Sequence, residues 1–257
     1  MKWLCVFIGY YLFSLTIVST GKAASVEAVV QWEKKITLST PLSGVVREVL
    51  VDRGEQVTAG TVLMRLDQRV YKAELEAMSA EVAAQLLDEQ EARKEKERAD
   101  ELYERTVLSD TALQQAYIAY QQAVARLKHA MANQAKASYQ LQYSEIVAPF
   151  SGLIMEKRVD LGQVIVSDFQ VVPLFTLAKN DSMLAVAELD FSVTEKVSIN
   201  QEVNIKSGNK SYKGKVKFVG IEPVTFRNNK PKYELSVSFI TNNNVLAVGQ
   251  TVIIEGL

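Results

Sequence analysis

The chain has one cysteine and one histidine in 257 residues, and its formal net charge is only −1. Each scarcity removes a class of function. Cys5 stands alone near the N-terminus, so no disulfide framework supports the fold. His129 falls between Leu127 and Ala130 on a helix flank, where solvated or interface packing is the expected role. A transition-metal site would therefore need methionines or carboxylates. Met64, Met78, Met131, Met155 and Met183 are scattered and read as core or gap fillers. A pI near 6.0 argues against a general nucleic-acid binder, which carries a basic patch or stripe. No nucleophile elbow, phosphate-binding glycine loop or paired-acid constellation stands out. Neither an enzyme nor a resident cofactor is expected. What is present is 48% hydrophobic and 23% charged, enough for a sizeable core or several small ones.

The first residues are of a different kind. Lys2 gives a short positive start, Trp3 to Val18 is mostly apolar, and Ser19-Thr20-Gly21-Lys22-Ala23-Ala24 supplies small residues. This is the pattern of a signal peptide over residues 1–23, cleaved after Ala23. An uncleaved signal anchor is the rival reading, because the run approaches spanning length. Cys5 lies at the wrong end of the run for lipoprotein acylation. Cleavage removes Lys2 and Lys22 and no acid, leaving a cysteine-free, weakly acidic exported protein.

The strongest signal is an internal repeat. Pro41-Leu-Ser43-Gly44-Val-Val46 followed by Val51-Asp52-Arg-Gly54-Glu-Gln-Val57 recurs as Pro149-Phe-Ser151-Gly152-Leu-Ile154 followed by Val159-Asp160-Leu-Gly162-Gln-Val-Ile165, at a gapless offset of 108 residues. Leu63 to Leu66 then finds its counterpart in Leu174 to Leu177. Each copy reads as strand, turn, strand, turn, strand, with Gly54 and Gly162 where tight turns need positive φ. One such half cannot bury its apolar face alone, and two related by a quasi-twofold axis can. The repeat resembles the biotinyl-lipoyl domain, a flattened barrel of two halves whose joining turn carries a modified lysine in carrier proteins. Here the stretch from Asp67 to Ile146 takes that place. No Asp-Lys-Ala or Met-Lys-Met turn remains, and Lys72-Ala73 leads into a helix.

That inserted stretch has helical period. Leu113, Ala116, Tyr120, Ala123, Leu127, Ala130, Gln134, Ala137 and Leu141 keep 3,4 spacing, the mark of a coiled-coil seam. Ala73, Ala77, Ala80, Ala84 and Leu87 keep it on the other arm, thinning to Ala92, Ala99 and Leu102. Thr106 to Asp110 is the expected turn, with Ser109 or Asp110 as N-cap. Two antiparallel arms of about 38 residues project about 57 Å. The charged run Glu89 to Arg105 reads as a solvated face with Glu89–Arg93 and Glu101–Arg105 pairs.

Arg98, Leu102 and Ser109 straddle the turn as Arg-x-x-x-Leu, six residues, Ser. The pattern resembles the tip motif of periplasmic adaptor (membrane fusion) proteins of tripartite efflux pumps, where these three residues contact a TolC-like outer-membrane channel. The bare alternative is Leu102 as seam, Arg98 as solvated charge and Ser109 as cap.

From about Ala178 strands return: Met183–Glu188, Glu202–Lys206, Tyr212–Ile221, Tyr233–Ile240 and Thr251–Glu255, with a short helix over Ser192–Val197 and turns at Ser207-Gly208-Asn209 and Asn242-Asn243-Asn244. They suggest a small β-barrel, to which Val26–Leu38 crosses back. Glu188-Leu-Asp190, Gly214-x-Val216 and Leu246 to Gln250 are similar to the adaptor barrel. Asn200 departs from it, standing where glycine is frequent, and asparagine tolerates the left-handed conformation.

The expected organisation is mixed α and β, multi-domain and elongated. Residues 1–23 form the signal peptide, 24–39 a strand joining the barrel, 40–67 with 147–178 a split lipoyl-like β-domain, 68–146 an inserted antiparallel coiled-coil hairpin with its tip near 106–110, and 179–257 the barrel. The resemblance implies a periplasmic adaptor of a Gram-negative bacterium, associated with the inner membrane through its partner. It would bridge an inner-membrane exporter, of resistance-nodulation-division type, to the channel for efflux of small molecules. It would self-associate into a ring, a hexamer by family resemblance, and flex near Asp67, Ile146 and Ala178. Many such adaptors carry a membrane-proximal domain after the barrel, and none follows Leu257. The grip on the pump would then use barrel and lipoyl surfaces, a fuller adaptor partner, or another transporter class such as an ABC exporter. A lipoyl or biotin carrier subunit is the alternative from a different class.

Overall fold

The computed structural model describes residues 25–167, 171–241 and 246–257. The signal-peptide reading, Cys5 and the turn at Asn242–Asn244 lie outside them. Strands β1 (Ser25–Trp32), β2 (Lys35–Leu38), β3 (Gly44–Val49), β4 (Gln56–Val57) and β5 (Val62–Leu66) precede helices α1 (Arg69–Glu104) and α2 (Asp110–Tyr143). Then come β6 (Glu145–Val147), β7 (Gly152–Lys157), β8 (Val164–Ile165), β9 (Phe175–Ala178), β10 (Ser182–Leu189), α3 (Phe191–Thr194), β11 (Glu202–Ser207), β12 (Lys210–Arg227), β13 (Lys230–Ile240) and β14 (Thr251–Glu255). Two compact units divide the chain: Val30–Leu184 with Ile240–Gly249, and Ala185–Phe239 with Gln250–Leu257 and the part of β1 up to Val29.

In the first unit the repeat becomes two four-stranded sheets, β2-β9-β7-β4 and β6-β5-β3-β8. The halves exchange their short strands: β3 pairs with β8 and β7 with β4. Equivalent hydrogen bonds recur across the exchange. Gly54 N donates to Ile154 O at 2.8 Å and Gly162 N to Val46 O at 2.9 Å; Val46 N donates to Gln163 O and Ile154 N to Glu55 O. Both turns are closed alike, with Asp52 N donating to Glu55 Oε2 and Asp160 N to Gln163 Oε1. Gly54 and Gly162 have φ of 86° and 82°. The interior is one cluster that includes Val46, Leu63, Met64, Leu66, Ile154, Leu174, Phe175 and Leu177. Neither half contains it alone, so pairing of the halves is what removes these side chains from water.

Val26–Leu38 does not enter the barrel as one strand. β1 does, but β2 pairs with β9, Ile36 opposite Leu177 and Leu38 opposite Phe175. Ile36 and Leu38 pack against the central cluster, and β2 occupies in one half the place that β6, paired with β5, holds in the other. The repeat therefore begins a strand earlier than its identities suggest.

The helices contain 36 and 34 residues, about 54 and 51 Å of rise, and pack along each other in antiparallel sense, with Gln134 Nε2 donating to Ser79 Oγ at 3.0 Å. All nine expected seam positions of α2 are buried or half-buried, Ala123, Ala130 and Ala137 most deeply. The α1 seam differs from expectation. Ala73, Ala77, Ala80, Ala84 and Leu87 are exposed, while Tyr71, Leu75, Met78, Val82, Gln85, Glu89, Ala92, Lys96 and Ala99 turn inward. Larger apolar groups at Leu75, Met78 and Val82 remove more area from water than alanines do, so the helix rotates to bury them.

The second unit contains most of a closed barrel of order β1-β10-β13-β12-β11-β14. Burial alternates along β11, bringing Val203 and Ile205 inside with Val216, Leu235, Val237, Phe239, Val252 and Ile254. Asn200 adopts φ 68° and donates its N–H to Val216 O at 2.8 Å, as the sequence requires of it. The expected helix over Ser192–Val197 is shorter, α3. β12 and β13 run beyond the expected bounds and join through Asn228 and Asn229, at φ 51° and 61°, the conformation of a two-residue type I′ hairpin turn.

Candidate interaction site at the helical turn

α1 ends in a Schellman motif. Val107 N donates to Leu102 O at 3.0 Å and Thr106 N to Tyr103 O at 2.8 Å, so two otherwise open carbonyls are satisfied. The left-handed position this requires is filled by Thr106, φ 58°. Glycine adopts that conformation without cost, and a β-branched residue holds it under strain. Ser109 then opens α2 as its N-cap, Oγ accepting from Ala112 N at 3.3 Å, with Asp110 in the first turn facing the positive end of the helix dipole. The Asp110 carboxylate lies close enough to Tyr103 across the turn to raise the phenol's pKa. That clasp was not visible in the sequence, because the pair matters only once the chain reverses.

Of the three residues of the tip pattern, Ser109 lies at this reversal and Leu102 and Arg98 lie within about the last two turns of α1. Arg98 is exposed on α1 and pairs with Glu95, Nη1–Oε1 2.5 Å; an exposed pair of this kind contributes little to stability. Leu102 is half-buried one turn further on, and Ser109 is exposed. Val107, 70% exposed, adds an apolar group between them. Capping uses a lone pair of the Ser109 oxygen, so its O–H stays free to donate. Glu89 is not part of a solvated face: its side chain is 4% exposed and meets Arg93 at 2.7 Å. Glu101 and Arg105 form no ion pair among the described residues.

The root of the helices is tied to the β-sheets by polar contacts. Arg65 joins Glu48 and Glu145 at 2.7 and 2.8 Å. Gln68 Nε2 donates to Ser144 Oγ and Glu145 Oε1, Tyr71 Oη to Ser43 O, and Thr40 Oγ1 to Tyr143 O. Asp67 accepts from Arg69 N and Nε; the Arg69 guanidinium, with that backbone bond, holds its carboxyl down to about 2. Among the described residues no group of three or more His, Cys, Asp or Glu side chains is placed to hold a metal ion. Nor is any helix long and apolar enough to cross a membrane.

Residues 34–178 match the family described as CzcB-like, barrel-sandwich hybrid domain. The cation efflux system protein CzcB of Alcaligenes sp. (strain CT14) is 30% identical over 227 residues, covering 79% of this chain and 41% of that protein. A multidrug resistance protein, MdtA of Pectobacterium carotovorum, is 29% identical over 160 residues, 62% of this chain and 36% of its own. The chain thus spans less than half the length of these relatives. The membrane fusion protein Spr0693 of Streptococcus pneumoniae R6 has the same fold, with TM-score 0.68 at 18% identity over 91% of this chain and 98% of that one. The matched segment runs from the bend before β2 to the end of β9, the two half-domains with the helices between them; the chain belongs to the CzcB-like barrel-sandwich hybrid family.

Proposed function

We propose that this protein is the periplasmic adaptor subunit of a tripartite efflux system, bridging an inner-membrane exporter of resistance-nodulation-division type to a TolC-like outer-membrane channel. One observation carries the reading: the place where a lipoyl-type domain would present its lysine is occupied by two paired helices rooted in both halves of the β-domain. That arrangement supplies reach rather than a carried group. The relatives named for cation efflux and multidrug resistance support the transporter class. The protein performs no chemical step; it transmits force and seals a conduit.

The two helices act as a coiled-coil hairpin, and Arg98, Leu102 and Ser109 are its docking residues. Arg98 can reach carbonyls at the ends of the channel's helices, Leu102 with Val107 can fill an apolar groove, and Ser109 can donate while still capping α2. In cells, Arg98→Asp or Ser109→Arg is expected to abolish efflux-dependent resistance and crosslinking from the tip to an outer-membrane channel, with the melting profile unchanged. Full resistance in both folded variants would remove the docking assignment.

Self-association belongs to the same reading. Val70, Ala73, Ala77, Ala80, Ala84 and Leu87 keep heptad spacing on the exposed side of α1, a second seam that lacks a partner among the described residues. Packed against a neighbouring copy, it would complete a ring. Ala77→Glu with Ala84→Glu is expected to shift the full-length protein toward monomer in analytical ultracentrifugation while keeping its helicity; unchanged assembly would exclude this face.

A further inference from the structure

Among the described residues β11 pairs with β12 only over Lys210–Lys215, so beyond Phe218 β12 has β13 alone beside it, and the two strands continue as an exposed hairpin. The pairing Pro223 opposite Tyr233, Thr225 opposite Lys232, Phe226 opposite Pro231 and Arg227 opposite Lys230, with a register shift between Pro223 and Thr225, assigns its faces, because directly paired residues share a face and successive residues alternate except across a bulge. Phe226, Pro231, Pro223 and Tyr233 lie on one face. Arg227, Lys230, Lys232 and Thr225 lie on the other.

The apolar face continues the barrel's inner face through Tyr233, which meets the Phe191 ring at 5.4 Å, and buried Leu235, and its outer end is left open among the described residues. Phe226 is 70% exposed, and Ile221, in the bulged stretch between Val219 and Pro223, is 89% exposed. On the basic face Lys232 is paired with Asp190 and Thr225 donates to Glu188. Arg227 and Lys230 form no ion pair among the described residues. From Val224 to Tyr233 the strand pair contains three cations and no acid, although the chain as a whole is at −1. The Asn228-Asn229 turn fixes the end, so the arrangement is presented without an ordering cost at the moment of contact.

We infer that the end of the β12–β13 hairpin is a membrane-surface contact that seats Phe226 among lipid headgroups and Arg227 and Lys230 on anionic lipid phosphates. Charge complementarity selects this occupant. An aromatic side chain flanked by unpaired cations suits the anionic interface of a bilayer, where apolar burial and electrostatic attraction add. A rigid two-residue turn can enter the headgroup layer without exposing unpaired backbone to hydrocarbon. The inference rests on the adaptor reading for bringing the barrel close to a bilayer, and it goes beyond it by assigning the contact to lipid rather than to the exporter.

The test uses the full chain with vesicles of phosphatidylethanolamine and phosphatidylglycerol, compared with vesicles of phosphatidylcholine alone. The apolar run Trp3–Val18 partitions into either, so the preference for anionic vesicles is the quantity read. Arg227→Glu with Lys230→Glu keeps a like-charge pair across the turn, and is expected to reduce that preference by more than about 30-fold with an unchanged melting profile. Phe226→Trp should be quenched by brominated lipid beyond the signal of the two native tryptophans. An undiminished preference in the double variant, or no added quenching, overturns the contact. In cells, benzoylphenylalanine at position 226 should yield phospholipid adducts; adducts only to a protein would transfer the hairpin to a protein partner and end the proposal. Crosslinking from position 109 in the same cells reads the adaptor assignment separately. Channel adducts there without lipid adducts at 226 defeat the lipid contact alone, and neither adduct defeats both.

Discussion

Gly44 and Gly152 hold the same place in the two halves of the repeat, yet only one is required by its surroundings. A Cβ on Gly152 would come within 2.3 Å of Ala178 O, whereas on Gly44 it would meet Leu66 Cδ1 at an ordinary 3.4 Å. Gly152→Ala is expected to cost about 1–3 kcal/mol and Gly44→Ala less than about 1 kcal/mol, measured by chemical denaturation of the two variants. Thr106 is the opposite case, a strained non-glycine in a glycine position. Thr106→Gly should stabilise the end of α1 by about 1 kcal/mol; if the strain serves docking, resistance falls while the melting temperature rises. Asp67 sets a pH response. Its folded pKa, about 2, lies below that of an ordinary aspartate because of Arg69. The group therefore contributes stability that is complete above about pH 4 and is lost as pH falls through about 2. Arg69→Ala should raise the Asp67 pKa toward the ordinary aspartate value, followed by carbon-detected NMR titration.

On the scale of the element, the α1 seam contains a carboxylate where coiled coils ordinarily carry an apolar group. Glu89 is inward and Arg93 reaches it with three hydrogen bonds between 2.7 and 3.1 Å, while Tyr120 of α2 lies within electrostatic reach of Arg93. Removing Arg93 leaves the carboxylate buried alone, so Arg93→Ala is expected to destabilise the helices by about 1–3 kcal/mol. Glu89→Leu should be neutral or stabilising, because a well-packed apolar side chain avoids the desolvation of the pair. Helical melting followed at 222 nm separates the two outcomes. The α2 seam was readable residue by residue because its apolar positions form a single series. On α1 two heptad series coexist, Ala73-Ala77-Ala80-Ala84-Leu87 and Leu75-Met78-Val82, and composition alone does not say which faces inward. The answer came from the volume that α2 has available to fill.

At the scale of the molecule, the recurring unit is the exchange of short strands between halves. β3 with β8 and β7 with β4 make each half the lid of the other, and the helices leave from the same junction on both sides. A displacement of the helices is felt in the sheet β6-β5-β3-β8, where Arg65 joins Glu48 to Glu145 and Gln68 holds Ser144. Double substitution of Arg65→Ala and Gln68→Ala is expected to leave tip crosslinking to the channel intact but to lower efflux, since docking and transmission use different parts. Loss of the crosslink together with efflux would mean that the root positions the tip rather than couples it.

What the amino-acid sequence determined by itself is local and periodic. The gapless repeat at an offset of 108 residues, the glycines at Gly54 and Gly162, the nine-position seam of α2 and the Ser109 cap all depend on residues within a few turns or strands of one another, or on identity between copies. The tertiary structure decided what depends on competition for one space: that β2 leaves β1 to pair with β9, that Leu75, Met78 and Val82 turn inward in place of the alanines, and that β12 and β13 outrun the barrel. Burial rewards the side chains that remove most apolar area once a partner surface exists. That surface is made by residues distant in the chain, and no window of sequence contains it.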